Sequence, residues 1–136
     1  MAVEENTPVL VGCGQVTQKI DDPIQALSPI ELMKESSLLA FEDSTVENLE
    51  NKIDTIMTVR FIFDSGGGKR PPFSIYANPP QSLANKLSIV DAKTFNGPTG
   101  GNTPQYLINI LSEKIASGAV SYTHLTLPTK VAVLGS

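Results

Sequence analysis

Few residues in this chain have types and spacing that could do chemistry. Cys13 and His124 are the only residues of their kinds. Cys13 could serve as a nucleophile if a helix terminus or a cation stabilised its thiolate. No helix signal follows it, so an inert, buried thiol is the expectation. His124 could be a general base, but no carboxylate lies near it in sequence. Gly12-Cys13-Gly14 invites a dinucleotide-binding reading. The third glycine of G-x-G-x-x-G falls on Thr17, and no helix opens there to supply the phosphate-binding N–H groups. Gly66-Gly67-Gly68-Lys69 resembles the end of a phosphate loop. Arg70 stands where a magnesium-binding Ser/Thr is needed, and Pro71-Pro72 prevents a helix from starting. The last place is Gly100-Gly101-Asn102-Thr103, ahead of Pro104. Successive N–H groups at a glycine-rich helix start can bind an anion or a thioester oxygen. The bland alternative is a tight turn in which glycine supplies positive φ.

The elements that must position these residues alternate along the chain. Pro8–Gly12 is a short apolar β-rich run, and we expect a strand near Val9–Val11. Ser28-Pro29-Ile30-Glu31 combines a cap, a first-turn proline and a capping-box glutamate. A helix follows to about Glu42, with Ile30, Met33, Ser37, Ala40 and Phe41 on one face. Thr55–Val59 is the second expected strand. Asp64–Pro72 reads as a glycine-rich loop. Asn78 caps a helix over Pro79–Leu87, with Leu83, Ala84 and Leu87 as its buried stripe. Lys93–Asn96 is the third strand. Pro104 opens a helix to Ser117 with Leu107, Ile108, Leu111 and Ile115 inward, and Gly118 ends it. Val131–Leu134 is the last strand. Such alternation means α/β, with a mainly parallel sheet and flanking helices.

The chain has 136 residues, the size of one ordinary domain. With 40% hydrophobic and 18% charged residues it reads as globular. Ten basic against 14 acidic residues give a net charge of −4, which argues against nucleic acid or an anionic membrane as the main partner. One cysteine cannot build a disulfide framework, and no Cys/His cluster has metal-ligand spacing. No run is long enough to span a membrane and no secretory signal is visible, so a soluble, cytoplasmic protein is expected.

Val120–Thr129 interrupts an otherwise plain helix-to-strand connection, of a kind that usually takes two to six residues. These residues are what GTC TCT TAT ACA CAT CTG ACG CTG CCG ACG encodes, a transposase-type sequencing adapter read in frame. We expect 120–129 to be an adapter-derived insertion, to be set aside in fold and site reasoning like any fusion scar. The alternative is a genuine surface loop. On the first reading, the chain's only histidine is accidental.

Several stretches together resemble the N-terminal part of thiolase-superfamily proteins, in the branch of acetyl-CoA acetyltransferases and sterol-carrier-protein-type thiolases. They are Thr7–Gly12 with Gly14–Thr17, Asp22-Pro23, Ile53-Asp54, Tyr76–Pro80 with Leu83-Ala84, and Gly100–Gln105. The similarity runs from about Thr7 to Gly118 and resumes at Val131–Gly135. It implies that residues 7–136 form a partial thiolase-like N-terminal half-domain of a protein several times longer. In that family a cysteine at a strand-to-helix turn takes an acyl group from coenzyme A, because the helix N-terminus stabilises its thiolate. The resemblance puts that position at Gly100, or at Gly101 with a one-residue slip, so no catalytic residue is assigned. Gly100, Gly101, Asn102 and Thr103 remain as a substrate-binding turn. The implied substrate is a coenzyme A thioester, with no bound cofactor and no metal. A homo-oligomer of the full-length protein is compatible with it, as is a peroxisomal address in a eukaryote. Two functions stay open: a fragment of an acyl-CoA acyltransferase lacking its nucleophile, or a non-catalytic acyl-CoA or lipid-binding protein.

Overall fold

A computed structural model of the chain describes residues 4–62, 75–126 and 130–135. Five strands and three helices follow one another as β1 (Val9–Gln15), α1 (Pro29–Asp43), β2 (Ile53–Thr58), α2 (Pro79–Lys86), β3 (Lys93–Asn96), α3 (Thr103–Ala116), β4 (Tyr122–Thr126) and β5 (Lys130–Gly135). Short 3-10 turns lie at Pro23–Gln25 and Leu49–Asn51. The strands form one sheet in the order β1-β5-β4-β2-β3. β2 pairs in parallel with both β3 and β4, while β5 runs antiparallel to β4 and to β1. Four strands therefore share one direction and β5 alone opposes them. The fold is α/β with a mainly parallel sheet and flanking helices. The expected glycine loop at Asp64–Pro72 lies outside the described residues.

Local signals explain where the helices begin. Ser28 Oγ accepts from the Glu31 N–H at the start of α1, where Pro29 needs no donor of its own. Asn78 Oδ1 does the same for Gln81 at the start of α2, again with proline in the first turn. Gly118, at φ 68°, takes the left-handed conformation that ends α3.

The two faces of the sheet are covered differently. α1 and α2 lie on one face, where Ile30, Met33, Ala40, Leu83 and Ala84 pack with Ile53 and Ile56. α3 lies on the other, where Leu107, Leu111 and Ile115 meet Met57 of β2 and Leu125 of β4. These three α3 side chains have no exposed surface at all. At roughly 1.5–3 kcal/mol for each fully buried aliphatic side chain, that stripe holds the helix down. The exposed ion pair between Lys86 and Glu31 joins the end of α2 to α1.

Two expectations about the strands need correction. β1 does not end at Gly12 but continues to Gln15. Its glycines do not break the strand; they let α1 sit almost on its backbone. A Cβ at Gly12 would lie 2.3 Å from the Ala40 carbonyl oxygen, and one at Gly14 would lie 2.2 Å from that of Ser36. The Gly-x-Gly spacing is thus a packing device, and no α-helix follows it until Pro29. The second correction is β4. Far from a surface loop, Tyr122–Thr126 lies between β2 and β5 in the sheet's interior.

Replacing Gly14 with alanine sets two effects against each other. Removing glycine's chain freedom favours the fold by about 0.4–1 kcal/mol where the backbone tolerates it. Overpacking against a backbone that cannot swing aside costs about 1–3 kcal/mol, so Gly14→Ala should destabilise. Urea unfolding reads the difference. A midpoint unchanged or raised would show that β1 and α1 are not in such close contact.

Candidate functional site

The turn from β3 into α3 lies at the C-terminal edge of the parallel strands. β2 ends at Thr58 and β3 at Asn96 in matching register. Thr58 Oγ1 donates to Asn96 Oδ1 at 3.0 Å, and the Gly97 N–H donates to the Thr58 carbonyl at 2.7 Å. That last bond carries the pairing one step past β3. Gly97 is itself wedged, since a Cβ there would meet Leu107 at 3.0 Å. The chain leaving β3 is therefore pinned to β2 on one side and to the buried stripe of α3 on the other.

Beyond this clamp the backbone turns through Gly100, Gly101 and Asn102 into Thr103. The Thr103 N–H donates to the Gly100 carbonyl at 3.2 Å, and the Tyr106 N–H to the Asn102 carbonyl at 3.1 Å. Asn102 precedes the helix without a side-chain capping bond. Among the described residues, the N–H groups of Gly101, Asn102 and Gln105 make no backbone hydrogen bond. Pro104 has none to offer. Gly101 and Asn102 are exposed, Gly100 is half-buried and Thr103 is buried. The structure thus brings all four residues together at the mouth of α3, with unused donors and the positive end of the helix dipole.

The positive-φ explanation of these glycines fails. Neither Gly100 nor Gly101 has a positive φ; among the described glycines only Gly118 does. A Cβ at Gly101 would meet nothing within 4 Å, and one at Gly100 would touch only the Asn102 and Thr103 side-chain oxygens, at 3.1 Å. Gly101 has room for a side chain, one at Gly100 would need the Asn102 and Thr103 side chains to give by a few tenths of an ångström, and the turn has bare backbone at both.

Cys13 lies elsewhere, on β1, and it is exposed rather than buried as expected. Its thiol is held protonated chiefly by a hydrogen bond to Asp43, with that anion's charge and then burial adding to the effect. The Asp43 carboxylate, at the end of α1, accepts from the Cys13 N–H at 2.9 Å and lies 3.6 Å from Sγ. A hydrogen bond from the thiol to that anion, with the anion's charge, raises the thiol pKa above its ordinary value. Nothing in the sequence spacing linked these residues, which are 30 positions apart.

His124 is fully buried on β4. Its Nε2 is 3.0 Å from Ser37 Oγ, and its ring meets Phe41 edge-on at 5.6 Å between centroids. Nδ1 is buried without a hydrogen-bond partner among the described residues. Burial lowers its pKa from 6.5 to about 3. A histidine so enclosed reaches no substrate and cannot serve as a base at the turn.

Two measurements follow from these environments. The Cys13 thiol should titrate above free cysteine and react slowly with iodoacetamide at pH 7, while Asp43→Asn should bring its pKa back down; an unchanged pKa would break the Asp43 link. For His124, the folded state resists a proton that the unfolded chain accepts. Stability is therefore fully retained above about pH 6.5 and falls as pH drops toward 3, by up to about 1.4 kcal/mol per pH unit. His124→Leu should remove this part of the slope in unfolding curves between pH 6.5 and 4. Parallel curves for the two proteins would show that the ring is not buried neutral.

No family model matches the sequence, and no curated protein does. Solved structures do. A monomeric SCP2-thiolase-like protein type 1 from Mycobacterium smegmatis matches with a TM-score of 0.74 and 27% identity, over 91% of this chain and 24% of its own. The priming β-ketosynthase of the R1128 polyketide pathway matches with a TM-score of 0.72 and 12% identity, over 99% of this chain and 52% of that one. An acetyl-CoA acetyltransferase from Syntrophomonas wolfei gives 0.66 and 16%, over 87% and 27%. This chain spans about a quarter of the length of the mycobacterial protein. Those last two identities speak for the fold alone, and the mycobacterial match adds sequence similarity to it. These likenesses, at TM-scores of 0.74 and 0.72 over nearly the whole of this chain, show that it has the thiolase-like fold.

Proposed function

We propose that this chain is the N-terminal part of a thiolase-like, acyl-CoA-handling protein, whose β3–α3 turn binds a thioester carbonyl oxygen or an anionic group without becoming acylated. One observation carries the reading. At the place where a helix N-terminus could activate a nucleophile, the N–H groups of Gly101, Asn102 and Gln105 make no backbone hydrogen bond among the described residues, and the turn has no thiol. A carbonyl or phosphate oxygen placed there would accept those N–H groups, and the dipole of α3 would favour its negative charge by about 0.3–1 kcal/mol. That polarises a thioester without breaking it. Acyl transfer needs a covalent acceptor or a positioned base. Cys13 is on another strand beside an anion, and His124 is sealed in the core. A binding role therefore fits the geometry better than an acyltransferase reaction run by this chain.

No helix among the described residues is long and apolar enough to cross a membrane. The acyl group, the assembly state of the whole protein and its compartment belong to the same proposal: an acyl-CoA ligand, a homo-oligomer of the full-length protein, and a cytoplasmic or peroxisomal setting.

Mass spectrometry after incubation with acetyl-CoA tests the reading. The chain should carry no acetyl group on Gly100–Thr103. Gly100→Cys should then introduce a thiol more acidic than Cys13, because it would stand at the α3 N-terminus rather than beside Asp43. An acetylated Thr103 in the unaltered chain would overturn binding without turnover. An ordinary pKa for the introduced thiol would show that the turn exerts no useful field.

A further inference from the structure

We infer that Val120–Thr129 is foreign to the fold, and that Lys130–Gly135 is the native occupant of the place β4 now takes beside β2. The buried polar atoms point there first. Among the described residues, the buried side-chain atoms with no hydrogen-bond partner are Asp54 Oδ1, Thr123 Oγ1 and His124 Nδ1. Two belong to β4. The third belongs to a carboxylate whose other oxygen accepts the Ser121 N–H at 2.7 Å, directly ahead of β4. Buried polar atoms in folded proteins are almost always paired, so this clustering marks side chains that do not suit their surroundings. From α1, Ser37 Oγ meets His124 Nε2 at 3.0 Å, but that hydroxyl also donates to the Met33 carbonyl at 2.6 Å, and no group of α1 answers Nδ1.

The ladder explains how foreign residues can hold an interior place. Strand pairing is made by main-chain N–H and C=O groups, which any β-favouring segment supplies. Tyr122–Thr126 is such a segment, and it pairs with β2 on one side and β5 on the other. Leu125 and Tyr122 join the two core clusters, and the part that misfits is the polar atoms of Thr123 and His124. Val131-Ala132-Val133-Leu134 is the reverse case, a continuous apolar run of the kind that suits a strand covered on both faces. With 120–129 removed, only Ser117, Gly118 and Ala119 separate α3 from Lys130. A connection that short is usual for a helix leading into a parallel strand. The excised chain would place Lys130–Gly135 parallel to β2, so the strand would reverse its present direction.

Long-read sequencing of the gene and its transcript decides the matter. The expected result is Ala119 followed within a few codons by Val131. Codons 120–129 intact in independent amplicons would overturn the inference. A different segment of strand length in their place would overturn the assignment of Lys130–Gly135 to the β4 position. On the chain as it stands, Thr123→Val and His124→Leu should each shift the unfolding midpoint upward. A downward shift in both would mean that these polar groups are matched where they are, and would count against foreign origin.

Discussion

The pairing of β4 between β2 and β5 is the interaction on which the rest of the sheet depends. β2 and β3 form one parallel pair and β1 and β5 one antiparallel pair, and β4 alone joins them. Each helix layer needs that junction. α1 packs on β1 and β5, and its buried side chains share one core cluster with Ile53 and Ile56 of β2, so that cluster spans both pairs. α3 closes over Met57 and Leu125, one from each side of the junction. The main chain of β4 makes the pairing and Leu125 anchors α3, while Thr123 and His124 carry buried polar atoms with no partner among the described residues.

The same logic places the turn. A parallel strand must hand the chain to a helix that runs back across the sheet, so α3 has to begin at the C-terminal edge. Thr58, Asn96 and Gly97 fix the last point of β3, and Leu107, Leu111 and Ile115 fix the path of α3. What lies between is set from both ends. Its N–H groups are held at the helix mouth without any side chain of their own directing them.

The helices were legible because their ends carry specific chemistry. Ser28, Asn78 and the prolines that follow them mark starts, and Gly118 marks a stop. The strands were less so. β3 was readable to the residue, whereas β1 ran past the glycines that looked like its end, because their meaning depended on a helix folded over them. β4 was hidden by its length from β5, by its polar content and by the adapter-like reading of its residues. At the site, the order strand, glycine turn and helix could be read directly. The contact between Cys13 and Asp43 could not, since it arises only when α1 lies back along β1. Nor could the negative φ of Gly100 and Gly101, since glycine's identity leaves its conformation open.

Backbone binding at the α3 mouth is the central claim, and amide chemical shifts test it most directly. In a titration of the 15N-labelled chain with acetyl-CoA, the Gly101, Asn102 and Gln105 amide signals should move together and saturate. Those of Cys13 and His124 should stay in place. Saturable shifts confined to other parts of the sheet, or none at the three turn amides, would contradict it.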